Sequence, residues 1–99
     1  MAELLRVKGE LLLSPGAPDR SAAEEYFRRA LEQARRQGAL GWELRAALSL
    51  CRLRVTQGRG DQGRRELASL YDRFTEGFDT ADLVAAKQLL DELGAPGND

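Results

Sequence analysis

Apolar residues recur every three or four positions along most of this chain, which is the spacing of one buried face of an α-helix. The pattern predicts five helices, with approximate bounds of 2–13, 21–37, 42–57, 62–76 and 81–93. Short segments rich in glycine and proline separate them. We therefore expect an all-α fold in which neighbouring helices pair as antiparallel hairpins.

The predicted core consists of the apolar side chains that share one face of each helix. They are Leu4, Leu5, Leu11 and Leu12; Ala23, Tyr26, Phe27, Ala30, Leu31 and Ala34; Leu44, Ala47, Leu48, Cys51 and Val55; Leu67, Leu70, Tyr71 and Phe74; Leu83, Ala86, Leu89, Leu90 and Leu93. Trp42 is expected to pack with them. A chain of 99 residues buries a modest core, so we predict one domain over residues 1–93 and a flexible tail over 94–99.

Helix starts and stops have recognisable signals. Ser21 followed by Glu24 predicts a capping box at the start of the second helix, with Asp19 as a competing cap. The segment RFTEGFDTADL predicts a corner between the last two helices. In it Gly77 ends one helix in a left-handed conformation, Phe78 folds back onto Phe74, and Asp79 or Thr80 caps the next helix. Asp82 then lies in the first turn of that helix, where its charge suits the helix dipole.

The first two hairpins carry a repeated pattern of small and large residues. Gly9, Ala23, Phe27 and Ala30 fit the small and large positions of a tetratricopeptide repeat, in which small residues let two helices approach closely. The second copy is degenerate, with Leu50 and Cys51 followed by Gly63, Leu67 and Leu70. Gly9 and Cys51 are 42 positions apart, whereas the common repeat is about 34 residues long. The predicted class is therefore tetratricopeptide-like, with about two repeats and a capping helix.

Charge and cysteine content exclude several classes of function. Fifteen basic residues balance sixteen acidic ones, so there is no global field for nucleic acid or an anionic membrane. The single cysteine and the absence of histidine exclude an internal disulfide and a zinc site of the usual kind. The longest apolar run, Leu11 to Leu13, is far too short to span a membrane, and no signal peptide is recognisable. We expect a cytoplasmic protein.

Candidate chemistry is sparse. Cys51 lies on the apolar face of its helix, which favours a buried small residue over a redox thiol. Asp72, Glu76, Asp79 and Asp82 lack the spacing of a calcium loop. No nucleophile has a base beside it in the pattern, so we predict no catalytic residue, no metal and no cofactor.

One polar line remains as a candidate binding surface. Arg45, Ser49, Arg52, Thr56 and Arg59 follow each other at intervals of four and three, which places them together on the third helix. Our hypothesis is that this line binds an acidic segment, either from a protein partner or from the acidic last helix of a second copy. The alternative is an ordinary solvated helix face, because exposed arginines are common.

Three segments together resemble the carboxyl-terminal end of large bacterial signalling proteins: AAEEYFRRALEQARRQGALGWELRAALSLCRL, YDRFTEGFDTADL and AAKQLLDEL. Those proteins join an adenylate or guanylate cyclase domain, or a transcriptional regulator, to a predicted AAA or STAND-type ATPase and then to a tetratricopeptide-like helical region. The resemblance covers about Leu5 to Leu93 and includes none of the catalytic domains. It implies a non-catalytic interaction or regulatory module; the alternative is a structural cap or vestigial fragment of a longer repeat array.

Overall fold

The computed structural model describes residues 2–13, 19–75 and 80–94. These residues form five helices and no strand: α1 (Ala2–Leu11), α2 (Arg20–Arg36), α3 (Leu40–Thr56), α4 (Gly60–Tyr71) and α5 (Ala81–Leu93). The prediction of an all-α fold is confirmed for this part of the chain. The predicted corner at Gly77, Phe78 and Asp79 and nearly all of the predicted tail lie outside the described residues.

Two glycines end helices in the left-handed conformation that side chains disfavour. Gly38 follows α2 with φ of 65° and Gly58 follows α3 with φ of 76°. In both places the amide of the next residue donates back to a carbonyl in the last helical turn, from Ala39 to Ala34 at 2.9 Å and from Arg59 to Arg54 at 2.7 Å. These are Schellman motifs, which satisfy helix-end carbonyls and turn the chain sharply. The links between α2 and α3 and between α3 and α4 are therefore only three residues long.

The short link between α3 and α4 explains why the predicted start of α4 was wrong. Because Gly58 has already reversed the chain, α4 begins at Gly60, two residues before the predicted start. The Gly63 amide donates to the Arg59 carbonyl at 3.1 Å and closes the first turn. At the other end α4 stops at Tyr71, before the predicted end near residue 76, and α1 stops at Leu11 instead of Leu13.

The observed hydrogen bonds identify which of the candidate residues cap α2 and α5. The Asp19 side chain accepts a hydrogen bond from the Ala22 amide at 3.0 Å, so Asp19 is the cap of α2. The capping box at Ser21 is wrong, since Ser21 already lies inside the helix. At α5 the Thr80 hydroxyl accepts from the Leu83 amide at 3.4 Å, which identifies Thr80 as the cap.

Helix α3 is the centre of the fold and contacts each of the other four helices. The sequence predicted one buried stripe on this helix, but it is buried on nearly all sides, including Ala46, Ser49 and Leu53. The main core lies between α3, α4 and α5, and a second cluster joins Leu50 and Leu53 to Ala23 and Phe27 of α2. Outside these clusters four predicted core residues are exposed, which corrects the predictions for Leu4, Leu11, Trp42 and Val55.

Close approach of helices occurs where the repeat pattern placed small residues. A Cβ atom added to Gly9 of α1 would lie 2.6 Å from the ring of Phe27 in α2. A Cβ atom added to Gly63 of α4 would lie 3.0 Å from the Cys51 sulfur in α3. Both distances are shorter than carbon atoms accept without movement, so each glycine sets the spacing of its helix pair.

Candidate functional site

Arg45, the first residue of the predicted binding line, already forms ion pairs within the protein. Its guanidinium Nε lies 2.9 Å from Oδ2 of Asp82 in α5, and its Nη1 lies 3.2 Å from Oε2 of Glu3 in α1. The same group stands over the Trp42 ring, 5.4 Å from its centre. Arg45 thus ties α3 to α1 and to α5, and an acidic ligand would have to displace two carboxylates to bind it.

Ser49 is buried, so the prediction that it lies on an exposed polar line is wrong. Its hydroxyl donates to Oε2 of Glu10 at 2.7 Å and accepts from Nη1 of Arg6 at 3.4 Å. Both partners belong to α1, which covers this position of α3. Ser49 is therefore part of the contact between the two helices.

The end of the predicted line turns away from its beginning. The Thr56 hydroxyl donates to the Leu53 carbonyl of its own helix at 2.6 Å. Arg59 lies beyond the end of α3, where its Nη2 contacts Oε1 of Glu24 in α2 at 3.0 Å and also the Gln57 side chain. Arg45 and Arg59 consequently pair with different helices and do not form one continuous surface.

Arg52 is the arginine of the line that remains available. It is exposed and forms no ion pair with any carboxylate in the described ranges. It lies between two depressions beside α3, with volumes of about 400 and 190 Å³. The larger one is lined by Glu10, Leu13, Arg20, Ser49, Arg52, Leu53 and Thr56. This depression, which we call the α1–α3 groove, contains Ser49, Arg52 and Thr56 of the predicted line.

Arg20 is one of the groove residues that the predicted line did not include. It is the first residue of α2, it is exposed, and within the described part of the chain it has no acidic partner. The sequence contained a signal for it. A cation in the first turn of a helix interacts unfavourably with the helix dipole, so an arginine at this position suggests a role other than stabilising the helix. Arg20 and Arg52 face a groove that also contains Glu10, whose carboxylate accepts from Ser49 and lies 3.5 Å from Arg6.

A second network of charges lies on the other side of α3. Arg54 is buried, with Nε 2.8 Å from Oε1 of Glu66 in α4 and Nη1 3.5 Å from Oε2 of Glu24 in α2. Glu43 is buried as well and receives Arg35 at 2.8 Å and Arg73 at 3.3 Å. These groups are paired with one another, so they connect α2, α3 and α4 and offer no free charge to a ligand.

The arginines lower the proton affinity of two carboxylates that hold the helices together. The hydrogen bond from Arg6 is the main reason that the pKa of Glu3 lies below its usual value of 4.5. For Glu24, burial alone would raise the pKa. Three guanidinium groups outweigh that effect and hold the Glu24 pKa below its usual value, those of Arg28, Arg54 and Arg59. The folded state therefore stabilises the ionised form of both carboxylates relative to the protonated form.

Acid should consequently destabilise this fold. A carboxylate whose pKa is lowered by folding stabilises the protein above its unfolded pKa, and this contribution is lost as the pH falls through the lowered value. We expect the urea midpoint to stay level between about pH 7 and 5.5 and to fall steadily below about pH 4.5. The double variant Glu3→Gln/Glu24→Gln should be less stable at pH 7 but lose less on acidification. Parallel pH curves for the two proteins would contradict this assignment.

Cys51 is confirmed as a buried small residue. Burial is the main cause that raises the pKa of its thiol to about 11, with Glu66 adding to the effect. The group is thus a neutral thiol at physiological pH and a poor nucleophile. No set of three or more metal-ligating side chains comes together in the described ranges, which omit Glu76 and Asp79.

None of the helices within the described residues is long and apolar enough to cross a membrane. Comparisons with protein-family models, with curated proteins and with solved structures gave no match, so the function is inferred from the geometry of this chain.

Proposed function

We propose that this protein is a non-catalytic protein-interaction module that binds an acidic peptide segment in the α1–α3 groove. The observation that carries the proposal is the pair Arg20 and Arg52, two exposed cations that border one groove and lack a carboxylate partner among the described residues. Leu13, which is partly exposed, lines the same groove and supplies apolar contact. An acidic segment with interspersed apolar side chains matches both features.

The packing of the helices supports a tetratricopeptide-like arrangement for this module. In our proposal α1 and α2 form one hairpin, α3 and α4 form a second, and α5 caps the end. The small residues Gly9 and Gly63 lie at close approaches within these pairs, as the repeat pattern requires. Helix α3 also contacts α1, so the first helices of the two units are neighbours, and residues of both line the groove.

The resemblance to bacterial signalling proteins suggests a role for such binding. In this proposal the module regulates a nucleotide-handling protein, such as a cyclase or an ATPase, by contact with an acidic segment of it. A module of this kind contributes recognition, and the partner performs the chemistry. The described residues are consistent with that division, because their buried thiol is unreactive and their buried charges are already paired.

Binding can be tested with a fluorescein-labelled peptide of alternating glutamate and leucine, followed by fluorescence anisotropy. The variant Arg20→Ala/Arg52→Ala should bind about tenfold more weakly than the original protein, since two exposed ion pairs of up to about 1 kcal/mol are lost. The original protein should also bind more weakly as the salt concentration rises.

A matched control removes the same charge elsewhere. Arg64 and Arg65 are exposed on α4 and line neither depression beside α3. The variant Arg64→Ala/Arg65→Ala should retain affinity within about twofold. An equal loss in both double variants would mean non-specific attraction to positive charge. That result, or a lack of binding by the original protein, would contradict the proposed function.

A further inference from the structure

Three apolar side chains of α1 form an exposed stripe. Leu4, Val7 and Leu11 are 53%, 38% and 69% exposed, respectively. They follow each other at intervals of three and four residues, so they share one face of the helix. The opposite face carries Ala2 and Gly9, which are buried in the fold. Single exposed apolar residues are ordinary, but an aligned row along a helix is typical of a contact surface.

The same positions are buried in the second unit of this protein. Gly9 and Cys51 are equivalent because each lies at a close contact between its helix and the next, Gly9 on Phe27 and Cys51 on Gly63. They are 42 positions apart, and adding 42 to the stripe gives the residues of α3 to which it corresponds. These are Ala46, Ser49 and Leu53, which are 1%, 3% and 2% exposed.

The α1–α2 hairpin is what covers these counterparts on α3. Ser49 is hydrogen-bonded to Glu10 and Arg6 of α1, and Leu53 packs with Ala23 and Phe27 of α2. The face of α3 that corresponds to the stripe is therefore the face on which the preceding helical pair stacks. Helix α1 has the equivalent face, which is left exposed by the residues that the structure describes.

We propose that the stripe of Leu4, Val7 and Leu11 is the docking surface for the end hairpin of a helical-repeat array, which stacks on α1 as α1–α2 stacks on α3. The chemistry of the occupant follows from α2. Its contacting helix should present small residues around an aromatic ring, as Ala23, Phe27 and Ala30 do. Stacking of this kind is how helical repeats obtain stability from each neighbouring unit.

The size of the stripe argues against a second copy of this chain as the occupant. Three partly exposed aliphatic side chains offer roughly 300 Å² of apolar surface, whereas each partner in a stable interface buries about 800 Å². A hairpin held next to α1 by a short link needs a smaller contact, because its effective concentration is in the millimolar range. The surface is also separate from the α1–α3 groove, so this inference does not depend on acidic-peptide binding.

The test joins a surrogate hairpin to the complete protein. Residues 1–42, which contain α1, α2, the short link and the first residues of α3, are placed before Met1 of the full chain, so that Leu4 follows the added hairpin at the spacing at which Ala46 follows α1–α2. The added hairpin carries Leu4→Gln, Val7→Gln and Leu11→Gln in its own stripe, so its peptides can be distinguished by mass. Hydrogen exchange of the original α1 should then be at least about tenfold slower than in the chain alone, since helix opening must break the new contact.

The control is the same fusion with Leu4→Ala, Val7→Ala and Leu11→Ala in the original α1, which removes the stripe and keeps the peptides of the two copies distinct in mass. It should lose the added protection, whereas a general effect of extending the chain would survive. Equal protection in both fusions, or none in either, would overturn the proposal. The unfused chain should sediment as a monomer. A dimer that disappears on substitution of the stripe would also overturn it, because it would assign the surface to a second copy.

Discussion

Replacement of Phe27 by alanine is expected to lower the free energy of unfolding by about 3–5 kcal/mol. The Phe27 ring is completely buried and forms one cluster with Ala23, Leu50 and Leu53. It also fills the space beside Gly9, so its removal opens a cavity where α1, α2 and α3 meet. Since the free energy of unfolding of a small domain is only about 5–15 kcal/mol, this change should remove a large share of it. Urea unfolding followed by circular dichroism measures it.

The contact between Gly9 and Phe27 makes a sharper form of this prediction. Alanine normally stabilises a helix relative to glycine by up to about 1 kcal/mol, but a Cβ at Gly9 would meet the ring at 2.6 Å. Gly9→Ala should therefore destabilise the protein by about 1–2 kcal/mol. In a Phe27→Leu background the obstruction is smaller, and the same change should become neutral or stabilising.

A matched glycine tests whether the effect is due to packing. Gly41 also lies in a helix, but a Cβ there would have no neighbour within 4 Å. Gly41→Ala should leave stability unchanged or raise it slightly in both backgrounds. If Gly9→Ala costs the same free energy whether residue 27 is phenylalanine or leucine, the ring is not what restricts this position.

The close approaches at Gly9 and Gly63 could be predicted from the sequence because they depend on local spacing. Small residues at fixed offsets from apolar ones indicate where two neighbouring helices touch, and the stop at Gly38 is equally local. The presence of five helices follows from periodicity for the same reason. These features need no knowledge of how distant segments meet.

The central position of α3 could not be predicted in this way. Its apolar residues lie on more than one side, and only the contacts with α1 show that Ser49 is covered. The predicted binding line is interrupted for the same reason. Intervals of four and three place Arg45 and Arg52 on one face, but the choice between a free charge and an ion pair is made by Glu3 and Asp82 on other helices.

The exposed stripe of α1 shows that a pattern can predict a buried face without showing which partner covers it. Apolar residues at helical spacing predict a buried face, and the pattern is the same whether the covering partner belongs to the chain or not. Leu4 and Leu11 were therefore indistinguishable by pattern from core residues such as Leu48. Comparison of the first unit with the second separates them, since Leu53 shows what covers the equivalent position.

Replacement of Arg54 by alanine is the other change expected to have a large effect, about 2–4 kcal/mol of lost stability. Its guanidinium is buried between Glu24 and Glu66, and its stem lines the depression between α2 and α4. Alanine removes the bridge and leaves unfilled space. The cost is moderated because Glu24 keeps Arg28 and Arg59 and because Glu66 is partly exposed to water.

Arg54→Met separates the contribution of packing from that of charge. Methionine fills much of the space occupied by the arginine stem, and a buried ion pair contributes little net stability once its partners can reach other charges or water. We therefore expect Arg54→Met to cost about half as much as Arg54→Ala. The nearby Arg52→Ala should change stability by less than about 0.5 kcal/mol, since Arg52 is exposed and has no acidic partner among the residues described. Equal losses for the methionine and alanine variants at Arg54 would show instead that the ion pairs with Glu24 and Glu66 carry the effect.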